Sequence, residues 1–160
     1  MRLVAAVMVL AGLVASPPLL AGTRLEPVTD PLTQKVCGEC HLAFPPGLLP
    51  ARSWAALVDG AADHFGEDLA LPPGEAAQIR AWLTGHAGDA PVGSASGGRG
   101  LRDYMRWVAP AGTPRRITEN PAFLREHDFS PRTWQDPKVM TKSNCLACHP
   151  GAAQGWFDDD

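Results

Sequence analysis

Cys37-Gly38-Glu39-Cys40-His41 is the stretch that decides how this chain folds, and its pattern returns at Cys145-Leu146-Ala147-Cys148-His149. Cys-x-x-Cys-His is the attachment signature for a c-type haem. The two thiols add to the two vinyl groups of the porphyrin, and the adjacent imidazole lies under the iron as its proximal ligand. The chain has 4 cysteines, and the two motifs use them all. Cys37, Cys40, Cys145 and Cys148 are therefore read as covalent haem anchors, and His41 and His149 as iron ligands. Other uses of the thiols fit worse. A zinc site would have to join two pairs distant in the chain, and would not explain a histidine at the same offset in both. No βαβ pattern surrounds either pair, as a thioredoxin-like dithiol would need. A disulfide within a pair would close a tiny loop and stabilise little.

The chain begins with an export signal. Arg2 supplies the charged start, an apolar run extends from Leu3 to Val14, and Ser16-Pro17-Pro18 breaks it before Leu19-Leu20-Ala21. The run is too short for a comfortable membrane span, so residues 1–21 read as a cleaved leader and the mature chain as periplasmic. Export suits the cysteines, because bacterial haem c attachment takes place outside the cytoplasm. The remainder is short for two self-sufficient cores, at the size where small domains need a staple. One haem per half would be that staple, so the chain is expected not to fold stably without its haems. With 16 Pro and 16 Gly, the fold class expected is mainly α and loop-rich, built of two small haem-binding units of c-type cytochrome character.

Residues 22–90 form the first unit. A helix capped by Ser53 is expected, with Trp54, Leu57, Val58, Ala61 and Phe65 on its apolar face and Gly66 as its end. A second helix should start near Pro73-Gly74-Glu75 and bury Ile79, Trp82 and Leu83. Residues 91–100 contain the linker-like run Gly93–Gly100 (GSASGGRG). Residues 101–160 form the second unit, with a short amphipathic segment at Leu101, Tyr104, Met105 and Val108. Asn120-Pro121, a cap followed by proline, opens another short helix there.

Charge divides between the units. Residues 22–90 hold 4 Lys/Arg against 9 Asp/Glu, and residues 91–160 hold 9 against 8, of which Asp158, Asp159 and Asp160 are 3. The stretch from Arg99 to Lys142 is thus locally basic. Solvated surface accounts for such a stretch; so does a docking face for an acidic redox partner. Nucleic acid is excluded as a partner, since the chain after the leader is net acidic.

The sixth position on each iron decides between electron transfer and chemistry on a bound small molecule. Met105 and Met140 are the thioethers left beyond the leader, and both read as packing residues. Three histidines are spare. His64 stands at offsets 3 and 7 from Ala61 and Leu57, facing the apolar side of the expected helix. His86 touches Ile79, Trp82 and Leu83 but falls at a helix end, where the dipole alone favours histidine. His127 sits among Phe123, Leu124 and Phe129 and is the spare histidine of the second unit. Local pairing is expected, His64 with the haem on Cys37 and Cys40, His127 with that on Cys145 and Cys148; the alternative is a crossed arrangement across the linker. Whether His86 takes the place of His64 stays open on these residues.

The chain resembles the small bacterial dihaem cytochrome c family. The resemblance rests on Cys37–His41 followed by Phe44-Pro45-Pro46-Gly47-Leu48-Leu49-Pro50-Ala51-Arg52-Ser53-Trp54, and on His64-Phe65-Gly66. It continues in Arg116-Ile117-Thr118, in Arg125-Glu126-His127-Asp128 and in the block from Ser143-Asn144-Cys145 to Gly155. It implies two covalent haem c groups with bis-histidine ligation, the second histidines falling on His64 and His127; His86 has no place in that pattern. It also implies an electron carrier rather than an enzyme, whose acceptor is a soluble monohaem cytochrome of the sphaeroides haem protein type. A membrane cytochrome b is the donor expected by the same analogy. The rival classes are a small dihaem peroxidase and a haem sensor, each of which needs one open axial site.

Overall fold

The computed structural model describes residues 24–91 and 104–157. The expected leader, most of the expected 91–100 linker, Leu101 of the expected amphipathic segment and the acidic end Asp158–Asp160 lie outside the described residues. Among the described residues the chain is helical and loop-rich, with two isolated β-bridges and no longer strand pairing.

Helix α1, Pro31–Cys37, is set by a strong cap. The Asp30 carboxylate accepts from the Thr33 amide and hydroxyl, both at 2.8 Å, and Pro31 fills the first helical position, where no amide is needed. Thr33 is fully buried. Gly38 stops the helix, so Cys37 ends a helix while Cys40 and His41 follow in the loop. The chain then makes a 3₁₀ turn at Pro46–Leu48 and enters α2, Ala51–Asp59.

Helix α2 differs from the helix expected of the sequence at both ends. It starts behind Pro50, so Ser53 lies inside it, fully buried, with its hydroxyl unpartnered instead of capping. It stops at Gly60 rather than Gly66, and a 3₁₀ turn at Ala61–Asp63 replaces its last stretch. Glycine lacks the side chain that holds helical conformation, and here the guanidinium of Arg115 takes the space a Cβ would need. Trp54 and Leu57 still face inward, and the Trp54 indole donates to the Pro46 carbonyl at 2.6 Å.

Helix α3, Pro73–Gly85, matches its expected start and face: Ile79 is 1% and Leu83 2% exposed. It packs against α2 as the principal helix–helix contact. In the second half, α4, Pro121–Glu126, begins with the Asn120 side chain accepting from the Ala122 amide at 2.9 Å. The single turn α5, Pro131–Trp134, follows. Tyr104 and Met105 are helical at the start of the described second half.

One apolar cluster joins the halves. Leu48, Leu49, Trp54, Leu57, Ile79 and Leu83 share it with Tyr104, Ile117, Ala122 and Phe123. Polar ties cross the same boundary: Asn120 Nδ2 donates to the Leu48 carbonyl at 3.1 Å, and Arg52 Nε to that of Gly112 at 2.6 Å. The Leu25 amide donates to the Gly155 carbonyl at 2.8 Å, bringing the two ends of the described chain together.

Candidate haem-binding sites

His41 ends the first motif with its Nδ1 2.7 Å from the Leu42 carbonyl oxygen. Its ring stacks on Phe44, centroids 4.8 Å apart. Such a hydrogen bond fixes the tautomer, directs Nε2 outward and makes the imidazole a stronger donor to a metal. Facing it stands His64, with ring centroids 6.2 Å apart and planes within 23°. His64 is carried not by a helix but by the turn after the Ala61–Asp63 segment. Desolvation, then the charges of His41, Arg116 and Arg115, hold its imidazole below its usual basicity. The neutral form, the one that ligates metal, is thereby favoured.

The second site is built the same way. The 3₁₀ turn Cys145–Ala147 opens its motif, and the His149 amide closes back on the Cys145 carbonyl at 2.8 Å. Across from His149 stands His127, ring centroids 6.1 Å apart and planes at 78°. His127 caps the C-terminal end of α4, which places its Nδ1 3.1 Å from the Phe123 carbonyl oxygen and its ring flat on Phe123 at 4.1 Å. Phe129 and Trp134 close the sides, at 5.7 and 6.4 Å.

Both separations suit one iron between each pair. Two ring nitrogens, each about 2 Å from a shared metal, leave imidazole centroids about 6 Å apart. The two pairs are the local ones, His41 with His64 and His127 with His149. His86 is placed elsewhere: its ring stacks on Trp82 at 4.4 Å and its Nδ1 lies 2.7 Å from the Trp82 carbonyl oxygen. Met105 packs on the core, as expected. Met140 does not; it is 81% exposed at a left-handed φ of 60°.

The setting of Cys37 and Cys145 argues against dithiol exchange. Burial pushes the Cys37 thiol up to about 11, and burial followed by the nearby Cys148 raises that of Cys145. Redox-active pairs need the opposite, a lowered pKa. A cavity of about 740 Å³, of cofactor size, is lined by Gly38, Cys40 and His41 of the first motif and by Cys145 and Leu146 of the second. The two attachment points thus open onto one shared space. A smaller cavity of about 330 Å³ reaches Cys148 beside Ser130 and Thr133.

A family model described as dihaem cytochrome c matches residues 33–157. The chain belongs to the dihaem cytochrome c family. Among solved structures it is similar to a dihaem cytochrome c from Rhodobacter sphaeroides, at 43% identity and a TM-score of 0.70, over 82% of this chain and 99% of that one. A second structure from that organism, described as purified from it, gives 41% and 0.65 over the same shares. A dihaem cytochrome c from Shewanella baltica OS155 gives 33% and 0.60, over 80% of this chain and 86% of that one. No curated protein matches. As a dihaem cytochrome c the chain carries two covalently attached haem c groups, and members of the family are electron carriers.

Sequence reading placed Phe123 beside His127, but it did not single out the ring of Phe44 or the carbonyls of Leu42 and Phe123. The signal for the second pair was present: a helix ending at residue 127 puts the carbonyl four residues back in reach of His127. The roles of Arg115 and Arg116 had no such local signal.

Proposed function

We propose that this dihaem cytochrome c is a periplasmic electron relay with two bis-histidine haems, His41 and His64 ligating one iron and His127 and His149 the other. The facing imidazoles, about 6 Å apart in both pairs, carry this reading. When bound, each haem supplies a one-electron ferric–ferrous couple. The protein's part is to keep that couple free of side reactions. Cys37, Cys40, Cys145 and Cys148 anchor the porphyrins covalently. Leu42 and Phe123 orient His41 and His127 through their carbonyls. Phe44 stacks on His41, Phe123 and Trp134 flank His127, and Phe157 lies 5.5 Å from His149, so aromatic rings pack against these imidazoles and limit their turning. With both imidazoles of a pair engaged, neither iron would offer a position to peroxide or dioxygen, which supports a carrier over a peroxidase or sensor.

The leader features at Arg2, Leu3–Val14 and Ala21 support export. A soluble monohaem cytochrome of the sphaeroides haem protein type is the proposed acceptor, and a membrane cytochrome b the proposed donor. A basic face supports the acceptor's being acidic: Arg106 and Arg125 lie over the two-fifths exposed Trp107, at 4.8 and 4.2 Å from its ring centroid. Electron transfer to such a partner should slow as salt rises, and a flat profile would remove the electrostatic part of the proposal.

The ligand test is low-temperature EPR of the oxidised holoprotein and of two variants. His64→Ala should turn one haem high-spin and His127→Ala the other, each leaving its neighbour unchanged. A parent protein that binds carbon monoxide when reduced, or a variant that alters both haems or neither, overturns the assignment.

A further inference from the structure

His64 differs from the other three proposed ligands in how it is held. The segment His64–Glu67 is a tight turn, with the His64 amide donating to the Glu67 carbonyl at 2.7 Å and the Glu67 amide returning at 3.3 Å. Both central residues have positive φ, 60° at Phe65 and 102° at Gly66. Glycine adopts that conformation freely; phenylalanine does so only under constraint. Phe65 is 45% exposed, so burial does not supply the constraint. Arg116 does. Its guanidinium lies 3.8 Å over the centre of the Phe65 ring. Its backbone amide is tied to the Glu119 carboxylate at 3.2 Å, and the next residue, Ile117, is buried in the common core. Beside it Arg115 donates to the Ala56 carbonyl at the end of α2, at 3.0 Å. Two cations from the second half thus hold the first, Arg116 on the segment that carries a ligand and Arg115 on the end of α2 before it.

The Nδ1 of His64 is buried with no hydrogen-bond partner, whereas those of His41 and His127 lie at carbonyl oxygens. An imidazole without such a partner donates less to iron and stabilises the ferric state less. A neighbouring positive charge acts in the same direction, since the ferric site carries one more positive charge than the ferrous. A cation also approaches the other pair, Lys142 lying 5.1 Å over the Trp134 ring, but it sits on a packing residue and not on the segment bearing a ligand.

We propose that Arg116 is a positioning residue for His64, clamping its left-handed turn and raising the reduction potential of the His41/His64 haem above that of the His127/His149 haem. This rests on the ligand assignment proposed above. Glu119, 3.7 Å from Arg116 Nε, and the half-exposed setting of both side chains reduce the effect without cancelling it.

The experiment is a potentiometric titration of the holoprotein followed by EPR, comparing the parent with Arg116→Gln and Arg116→Lys. Nearly parallel imidazole planes at His41/His64 give a rhombic low-spin signal, and nearly perpendicular planes at His127/His149 give one with a single large g feature. His64→Ala identifies the first signal independently by turning it high-spin. In the parent the His41/His64 signal should disappear first as the potential is lowered. In Arg116→Gln its ferrous-to-ferric ratio at fixed potential should fall about three- to tenfold, the scale of one partly screened unit charge, with the other centre unmoved. Arg116→Lys should keep most of the potential, because the charge stays, while the rhombic signal broadens as the flat ring contact is lost. Equal drops in Gln and Lys, equal shifts at both centres, no shift, or first reduction of the other centre would each overturn the proposal. If both haems stay low-spin in His64→Ala, the ligand assignment fails instead, whatever Arg116 does.

Discussion

Asn120 is the residue whose loss should cost the fold most for its size. It is fully buried, and its amide does two tasks at once. Oδ1 accepts from the Ala122 amide and caps α4, while Nδ2 donates to the Leu48 carbonyl of the other half. Asn120→Ala removes both. Losing the cap costs about 1 kcal/mol, with a range of roughly 0.5–2. The Leu48 carbonyl, on a residue only 5% exposed, loses the donor that the side chain gave it, at about 1–3 kcal/mol. The sum is a destabilisation of about 2–4 kcal/mol, a large share of the stability of a small domain. Asn120→Ser keeps an oxygen for the cap but cannot reach Leu48, so it should lose only the second part. Asn120→Asp also keeps the cap acceptor, but sets a carboxylate oxygen against a carbonyl oxygen in a buried place, and should be at least as costly as Ala. Urea unfolding of the holoprotein, followed by tryptophan fluorescence with the slope held common, gives all three values. An Ala variant within about 0.5 kcal/mol of the parent, or a Ser variant as costly as Ala, would refute this division of labour.

Further expectations concern the ends of the described chain. The Asp30 carboxyl is held below the usual 3.8, chiefly by the Thr33 amide and then by the Thr33 hydroxyl. A depressed carboxyl pKa stabilises the fold above its unfolded value and ceases to as pH falls through the folded one. Asp30→Ala should therefore be less stable than the parent at neutral pH, with the gap closing below about pH 4; a gap independent of pH would show that the charge of the cap is irrelevant. Gly155 has φ +84°, and a Cβ there would collide with the Leu25 carbonyl. Gly155→Ala should cost about 2–4 kcal/mol in the same urea assay, and a neutral result would place the strain elsewhere.

The haem motifs were legible because covalent chemistry demands a fixed local pattern. Helix α3 was legible because its inward face repeats at helical spacing, and α4 because Asn120-Pro121 marks a start. The path around His64 was not. Its apolar residues Ala61 and Phe65 continue the rhythm of Trp54, Leu57 and Val58, and nothing local shows that the helix stops at Gly60. What bends the chain there is Arg115 and Arg116, about fifty residues away in sequence. The single core shared by Leu48 and Phe123 was hidden for the same reason, since long-range packing leaves no local period. Asp30-Pro31 and Ser130-Pro131 did carry the cap-then-proline order, and the short helices behind them could have been found by it.

The Leu25–Gly155 hydrogen bond makes the described chain a loop tied at its ends. Bringing two such distant residues together costs about 4 kcal/mol of chain freedom by the logarithmic rule, and nothing local repays it. Segments near the middle can gather earlier, but this tie needs residues from both ends of the described chain at once. Assembly would run from the middle outward, with this tie closing late.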